Sequence, residues 1–208
     1  MGYMTHATKN GARTARSPLD FYPTPSEVTA VLRDWLANHP GRPGLEDQFL
    51  DPAAGEGHII RAMRSVVWGE SFWHAIELEP SRALACEDVA ENVVCADALE
   101  VDWPVAHSIM NPPFSLLDEM WERASRQRDQ HGVWVAALTP VAWWNAEKRH
   151  ATPRPDHLIA LGWRPVFRQR AGAAHKGSQD FAWSILEPCP TGQTTWQRAE
   201  RPRIVTGV

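Results

Sequence analysis

Residues 48–57 read QFLDPAAGEG, a short apolar segment that runs into an acid and then into a glycine-rich turn. Residues 48–50 fit a buried strand, and residues 58–67 fit a helix that places Ile59, Ile60 and Met63 on one side. A strand that leads through a glycine turn into a helix is the repeating unit of an open α/β sheet. The stretch therefore predicts an α/β fold, with the turn at the carboxyl end of a strand, where such sheets bind their ligands.

The alternation of strands and helices continues on both sides of this stretch. Hydrophobic periodicity predicts helices at residues 25–39, 80–90 and 116–126, and strands at residues 72–76, 93–96, 106–110 and 132–138. Two more strands, at residues 166–168 and 181–186, flank a loop at 170–179 and predict an antiparallel hairpin near the C-terminus. The whole pattern predicts a mostly parallel sheet with helices on both faces.

The length and composition indicate one globular domain. A chain of 208 residues can bury one sizeable core, and an apolar fraction of 43% is ordinary for a globular protein. We expect a flexible arm over residues 1–18, the domain over 19–187 and a polar tail over 188–208. No apolar run approaches the ~20 residues of a membrane span, and the polar N-terminus does not resemble a secretory signal. The expected location is the cytoplasm, where Cys86, Cys95 and Cys189 stay reduced.

Charge is distributed unequally along the chain. Residues 1–140 contain 11 Lys and Arg against 20 Asp and Glu, a net charge of −9, whereas residues 141–208 contain 10 against 5, a net charge of +5. An acidic body with a basic C-terminal third is expected of a protein that contacts a polyanion on one face.

Basic and aromatic side chains mix in residues 141–180, as expected of a segment that contacts phosphates and unstacked bases. We expect Arg168, Arg170 and Lys176 to contact nucleic acid. Trp143 and Trp144 fit either a protein core or a platform for bases.

The glycine turn has the composition of a cofactor site. Small residues at Ala53, Gly55 and Gly57 allow a ligand to approach the backbone closely. The turn has neither the GxGxxG pattern of dinucleotide sites nor the Gly-Lys-Ser/Thr of a Walker loop. An acid before the glycines, here Asp51, suits a ligand that carries an ammonium group rather than a phosphate, and S-adenosylmethionine has such an amine.

Two further acids stand at the ends of the next two predicted strands. Glu77 is placed to accept hydrogen bonds from two ribose hydroxyls, as in other nucleotide-binding α/β domains. Glu79 is its rival for this role, because the register of one strand decides between them. Asp97 is placed to accept from the adenine amino group of a cofactor.

Two more motifs complete an ordered set. Residues 20–25 read DFYPTP, and residues 111–114 read NPPF directly after the strand predicted at 106–110. With DPAAGEG and the acids of AIELEP and CADAL between them, they resemble the motifs of DNA adenine methyltransferases, in the gamma order of compact phage- and prophage-encoded members. The resemblance covers residues 19–187 and implies a Rossmann-like methyltransferase fold. It implies that Thr24 and Asp51 hold the methionine end of S-adenosylmethionine, and that Tyr22 belongs to the same site.

The NPPF motif suits transfer of a methyl group to an exocyclic amine. The Asn111 side-chain oxygen and the Pro112 carbonyl can accept the hydrogens of the amine and expose its lone pair, and Pro113 helps to make the turn rigid. Phe114 is expected to stack on an adenine that has left double-stranded DNA. No metal is required by this chemistry, and the nine His residues show no ligand spacing such as HExxH.

Other functions fit the same residues. Turns of the NPP-aromatic type also serve enzymes that methylate adenine in RNA, the 4-amino group of cytosine, or glutamine in proteins. A DNA-binding protein that kept the fold without catalysis is a further alternative.

Overall fold

The computed structural model describes residues 21–44, 46–64, 70–146, 151–168, 174–176, 179–190 and 192–202, with only the backbone for 168 and 174–176. Within these residues the helices are α1 (Ser26–Asn38), α2 (His58–Arg64), α3 (Pro80–Cys86) and α4 (Leu117–His131), and a 3-10 helix spans Val141–Asn145. The strands are β1 (Gln48–Asp51), β2 (Phe72–Glu77), β3 (Asn92–Cys95), β4 (His107–Met110), β5 (Val135–Pro140), β6 (His157–Leu161), β7 (Val166–Arg168), β8 (Ala174–Lys176), β9 (Phe181–Leu186) and β10 (Thr195–Ala199).

The main sheet has the strand order β10-β6-β9-β5-β4-β1-β2-β3. Five adjacent strands, β5, β4, β1, β2 and β3, are parallel to one another. β9 lies antiparallel between β5 and β6, and β10 is parallel to β6. The chain runs outward from β1 to β3 and then returns to β4 on the other side of β1. In open α/β sheets such a reversal opens a crevice at the carboxyl ends of the two central strands.

Two hydrophobic cores enclose the sheet, and successive strand residues alternate between them. In β1, Phe49 packs in the core that includes Leu32 of α1 and Ile60 of α2, and Leu50 packs in the core that includes Trp121 of α4. Burial of one such apolar side chain contributes roughly 1.5–3 kcal/mol. The helices on both faces therefore hold the ends of β1 and β4 in place, and the predicted α/β, Rossmann-like architecture is confirmed.

The C-terminal third is organised differently from the prediction. A hairpin is present, but residues 166–168 (β7) pair with β8 in a sheet of two strands rather than with residues 181–186. The latter form β9, which pairs with β5 and β6. All six residues of β9 are buried, so this strand gains more by entering the sheet interior than by forming a surface hairpin.

Two strands of the main sheet, β6 and β10, were not predicted from the sequence. β10 lies inside the polar tail expected over residues 188–208, and its side chains are mostly exposed, so no apolar pattern marks it. The flexible arm expected over residues 1–18 lies outside the described residues.

The paired tryptophans belong to the core beside α4. The Trp143 indole N–H donates to Asp118 Oδ1 at 2.8 Å, and the Trp144 indole N–H donates to Ser184 Oγ at 2.9 Å. Both rings also pack edge-on against Trp121. The structure therefore favours a core role for Trp143 and Trp144 over a role as a platform for bases.

No helix in the described part of the chain combines the length and the apolar character that crossing a membrane requires.

Candidate active site

A crevice of about 260 Å³ opens at the carboxyl ends of β1 to β4. The strand ends bring together Asp51, Glu77, Asp97 and Asn111, which are widely separated in sequence. Nine of the twelve predicted cofactor and catalytic residues line it: Tyr22, Thr24, Asp51, Ala53, Gly55, Glu77, Asp97, Asn111 and Pro113. The remaining three, Gly57, Pro112 and Phe114, do not line it.

Asp51 ends β1 and is the most deeply buried acid of the crevice, with 1% of its surface exposed. Its Oδ1 accepts a hydrogen bond from the Ala53 N–H at 3.1 Å. Burial, together with the nearby Glu77 carboxylate, raises the pKa of Asp51 to about 8. Because a buried negative charge without a counter-ion is unfavourable, a cationic group in the crevice would stabilise the carboxylate form.

The register of β2 separates the two rival acids. Glu77 lines the crevice, and its carboxylate accepts hydrogen bonds from the Gly55 N–H at 2.8 Å and the Glu79 N–H at 3.0 Å. Glu79 instead caps α3, where its side chain accepts from the Arg82 N–H at 3.1 Å. The structure therefore places Glu77 rather than Glu79 at the position that can face a ligand.

The two glycines of the β1–α2 turn have left-handed backbone conformations, with φ of 55° at Gly55 and 76° at Gly57. A Cβ atom at Gly55 would lie 2.4 Å from Phe21 Cε2, and one at Gly57 would lie 2.5 Å from Val89 Cγ2. Gly55 thus admits the segment that covers the crevice, whereas Gly57 lets the turn pack against the residues that follow α3.

Asp97 follows β3 and is half-buried in the crevice wall. Its Oδ1 accepts a hydrogen bond from the Leu99 N–H at 2.9 Å, which orients the carboxylate. The apolar side chains of Ile76, Leu78 and Leu99 line the same crevice. An acid beside apolar walls can receive a flat ring that carries an amino group, because the walls cover its faces and the acid accepts from its edge.

Among the crevice residues that were not predicted as site residues, Phe21 and Arg82 contact each other. The Arg82 guanidinium lies 4.0 Å from the centre of the Phe21 ring and 3.6 Å from Glu77 Oε1. Phe21 belongs to the DFYPTP motif, so its position could have been anticipated, but nothing in the sequence marks Arg82. Together they hold residues 21–24 over the end of the crevice formed by Gly55 and Glu77.

Asn111 follows β4 directly and is tied to the opposite wall of the crevice. Its side-chain Nδ2 donates to the Tyr22 carbonyl at 3.2 Å and to Thr24 Oγ1 at 3.0 Å. Both amide hydrogens are therefore used, and Oδ1 is left as an acceptor with no hydrogen bond to any of the described residues. An amide held in this way presents one oxygen in a fixed direction.

The rest of the NPPF motif supports this amide. Pro112 is buried, and its carbonyl accepts no hydrogen bond within the described part of the chain. The Pro113 carbonyl accepts from the Leu116 N–H at 2.9 Å and closes the turn before α4.

Phe114 is half-buried and does not line the crevice. Its ring stacks on Tyr22 and on Phe181, with centroid distances of 6.3 and 5.6 Å, and Phe167 packs edge-on against the same two rings. The motif thus joins the crevice to an aromatic cluster of Tyr22, Phe114, Phe167 and Phe181.

The predicted nucleic-acid contacts belong to the segment around β7 and β8. Arg170 lies outside the described residues, and Arg168 and Lys176 are described only as backbone positions in β7 and β8. Phe167 of the aromatic cluster lies in β7, where it pairs with His175 of β8.

Comparison with known proteins gives a fold but no relative by sequence. No protein-family model matches the chain, and no curated protein matches it. Solved structures do match. A methyltransferase subunit of a type I restriction-modification system from Streptococcus thermophilus has a TM-score of 0.59 and 15% identity, over 85% of this chain and 47% of that one.

Two further structures share the fold. A protein from Listeria monocytogenes, assigned to the class I S-adenosylmethionine-dependent methyltransferases, has a TM-score of 0.57 and 14% identity over 84% of this chain. A precorrin-6y C5,15-methyltransferase from Geobacter metallireducens has a TM-score of 0.52 and 13% identity over 77% of it. The chain spans 65% of the Listeria protein and 47% of the Streptococcus subunit. At these identities the comparison establishes the fold: the chain has the Rossmann-like fold of S-adenosylmethionine-dependent methyltransferases.

Proposed function

We propose that this protein transfers a methyl group from S-adenosylmethionine to the exocyclic 6-amino group of adenine in DNA. The observation that carries the proposal is the Asn111 amide. Its two hydrogens are bound by Tyr22 and Thr24, and its oxygen is left to accept at the mouth of a crevice whose inner end holds a buried acid.

The residues of the crevice fit S-adenosylmethionine. When bound, this cofactor supplies an activated methyl group on a sulfonium. The buried Asp51 carboxyl meets the ammonium of the methionine end, because only a cation relieves the cost of ionising a carboxyl in that position. Glu77 accepts from the ribose hydroxyls, and Asp97 accepts from the adenine amino group between apolar walls. Residues 21–24 close over the methionine end, where Thr24 is 5% exposed.

Asn111 and Pro112 act on the acceptor amine. The lone pair of an aromatic amine is delocalised into its ring, so the amine is a poor nucleophile until its hydrogens are held out of the ring plane. Asn111 Oδ1 and the Pro112 carbonyl provide two acceptors that are not otherwise hydrogen-bonded within the described residues. Groups preorganised for developing charge contribute most to such a transition state. No strong base is needed, because the amine loses its proton after the methyl group has been attacked.

The aromatic cluster adjoins the crevice through Tyr22, which lines the crevice and stacks on Phe114. Phe114 provides the ring closest in sequence to the catalytic amide, and it packs between Tyr22 and Phe181. A base that has left the duplex is held by stacking on such rings. To capture the base, Phe114 must therefore offer it one face of a ring that now stacks on Tyr22 and Phe181.

Charge supports a nucleic acid as the acceptor, and one structural neighbour supports DNA in particular. The basic C-terminal third, with a net charge of +5, contains Phe167 and Phe181 of the aromatic cluster and suits a phosphate backbone. The Streptococcus structure is a subunit of a restriction-modification system, and this likeness is consistent with a DNA substrate.

The proposal is tested by offering S-adenosylmethionine with a tritiated methyl group to a mixture of DNA, RNA and protein. The parental chain should label DNA. Asn111→Ala should reduce the rate of labelling by about 100- to 1000-fold, the usual effect of removing one preorganised transition-state hydrogen bond. Its cofactor affinity, measured by calorimetry, should fall by no more than about 100-fold, because the two neutral hydrogen bonds to Tyr22 and Thr24 contribute roughly 0.5–1.5 kcal/mol each. The labelling rates are therefore compared at saturating cofactor.

Asn38→Ala is the matched control. Asn38 lies at the exposed C-terminal end of α1 and donates only to the Asp34 carbonyl within the described chain, so this variant should label DNA at the parental rate. Label that enters RNA or protein in preference to DNA rejects the substrate. An Asn111 variant with the parental rate rejects the role of the amide.

A further inference from the structure

A cluster of two imidazoles and a carboxylate lies at the amino end of the main sheet, opposite the crevice. His39 follows α1, His157 begins β6, and Glu187 follows β9. Their nearest ligand atoms, His39 Nε2, His157 Nε2 and Glu187 Oε1, all lie within 4.8 Å of one another. We propose that these three side chains bind a divalent transition metal ion, zinc in the first instance, at a site separate from the crevice.

The donor set is one that zinc accepts. Two neutral imidazole nitrogens and one carboxylate oxygen are a known three-ligand set for a tetrahedral zinc ion, and water fills the fourth position. In the described structure both Nε2 atoms approach the same carboxylate oxygen: His39 Nε2 is 3.3 Å from Glu187 Oε1, and His157 Nε2 is in closer contact with it. A cation placed among the three atoms replaces two hydrogen bonds by three coordinate bonds.

The surroundings of the cluster favour coordination over solvation. His39, His157 and Glu187 side chains are only 14–19% exposed. The Trp35 ring packs against both imidazoles, at centroid distances of 4.6 Å from His39 and 4.8 Å from His157. The protein therefore shields the three donor groups from most of the surrounding water.

A hydrogen bond behind the ligands orients one of them. His157 Nδ1 is 2.6 Å from Thr195 Oγ1, on the neighbouring strand β10. Ligating histidines usually donate their second ring N–H to such a partner, which fixes the ring and its tautomer. On binding, both rings carry their proton on Nδ1 instead of Nε2. The His157 Nδ1–H then donates to Thr195 Oγ1, and for His39 the change breaks only a long contact of 3.3 Å from the Gly41 N–H in an exposed turn.

The expected effect of the metal is to connect three elements that the sequence separates. The metal would join the end of α1 to the start of β6 and the end of β9. The sequence did not predict β6, and it predicted β9 as part of a hairpin. Because the unfolded chain does not assemble these ligands, metal binding should stabilise the folded protein.

The test is Co²⁺ binding to the chelator-treated full chain, followed by competition with Zn²⁺. One equivalent of Co²⁺ should give the visible absorption bands of a tetrahedral site with nitrogen and oxygen ligands, and Zn²⁺ should abolish them. Zn²⁺ should also raise the melting temperature in proportion to the logarithm of its concentration. Absence of a stoichiometric site, or a thiolate charge-transfer band that assigns the ion to a cysteine, would overturn the proposal.

Two variants locate the site. His39→Gln removes a ligand from the surface side of the cluster and should weaken Zn²⁺ binding at least about 100-fold. Thr195→Val keeps all three ligands and the shape of the side chain, and should weaken binding about 10- to 100-fold through the lost orienting hydrogen bond. His131→Ala, at the exposed end of α4, is the control and should bind as the parent does. If the His39 and Thr195 variants retain the parental affinity, the metal is bound elsewhere and the assignment is wrong.

Discussion

Asp51 is the residue through which pH should control the crevice. Its pKa of about 8 means that a cationic ligand must displace a proton at neutral pH. Cofactor affinity should therefore rise by up to about tenfold per pH unit between roughly pH 5 and 7.5. Above that range the α-amino group of the ligand loses its own proton, near pH 8. Asp51→Asn cannot titrate and should show weaker affinity with little pH dependence in calorimetry. If the cofactor affinity of the parental protein does not change with pH over this range, Asp51 does not contact the cation of the ligand.

The same ionisation has a consequence for stability. The pKa of Asp51 is raised in the folded chain, from 3.8 to about 8. The stability that the neutral Asp51 carboxyl contributes is therefore fully present below the unfolded-state pKa of 3.8, and it is lost as the pH rises through the folded-state pKa of about 8. Between pH 4 and pH 8 the ligand-free parent should lose more free energy of unfolding than Asp51→Asn does, and urea denaturation at several pH values measures the difference.

Glu77 and Glu79 offer a matched pair for the ribose site. Glu77→Gln should lower cofactor affinity about ten- to hundredfold, since hydrogen bonds to a charged acceptor contribute roughly 1.5–3 kcal/mol. Glu79→Gln should leave cofactor affinity unchanged and should destabilise only α3, because Glu79 caps that helix. Calorimetry on both variants checks the pair. Reversed effects would mean that Glu79 faces the ligand.

At the scale of elements, the β1–α2 turn depends on the space at Gly57. Gly57→Ala should destabilise the fold by roughly 1–3 kcal/mol from the left-handed backbone alone, and more from the contact that its Cβ would make with Val89 at 2.5 Å. Gly132→Ala is the control. Gly132, at the end of α4, also has a left-handed backbone, with a φ of 65°, but a Cβ atom there would meet no atom of the described residues within 4 Å. Urea denaturation should show the larger loss for Gly57→Ala. Equal losses would exclude the steric contribution.

The sequence predicted most of the strands that are short apolar runs and missed β10, which is not one. Strands such as β1 and β5 are short apolar runs between turn residues, so periodicity identifies them. β10 has mostly exposed side chains and carries no such pattern. The pairing of β9 was predicted wrongly because the nearest strand in sequence is not its partner: β9 reaches β5, more than 40 residues earlier. Pairing over such distances is decided by tertiary packing.

The candidate site was more predictable than the C-terminal sheet. Residues that end successive parallel strands must meet at one edge, so the positions of Asp51, Glu77 and Asn111 follow from the strand assignments. Arg82 and the cluster of His39, His157 and Glu187 follow from no local pattern. Their partners come from elements that are remote in sequence, and only the folded arrangement brings them together.

At the scale of the whole molecule, the charge asymmetry predicts how DNA binding responds to salt. Affinity for DNA should fall steeply with salt, and replacing Arg168, Arg170 and Lys176 together by Gln should reduce the slope of log affinity against log salt by about 2.7, since each lost phosphate contact removes roughly 0.9. Arg42→Gln is the control, because Arg42 lies between α1 and β1 at the opposite end of the sheet. Fluorescence anisotropy at several salt concentrations measures both. A triple variant with the parental slope would show that these residues do not contact phosphates.

The most direct test of the proposed reaction locates the transferred methyl group. DNA incubated with the protein and S-adenosylmethionine carrying a deuterated methyl group is digested to nucleosides and analysed by mass spectrometry. The parental chain should produce deuterated N6-methyladenine, and Asn111→Ala should lower the yield by about two to three orders of magnitude. A deuterated methyl group on cytosine, or on no nucleoside of the DNA while RNA or protein is labelled, would contradict it.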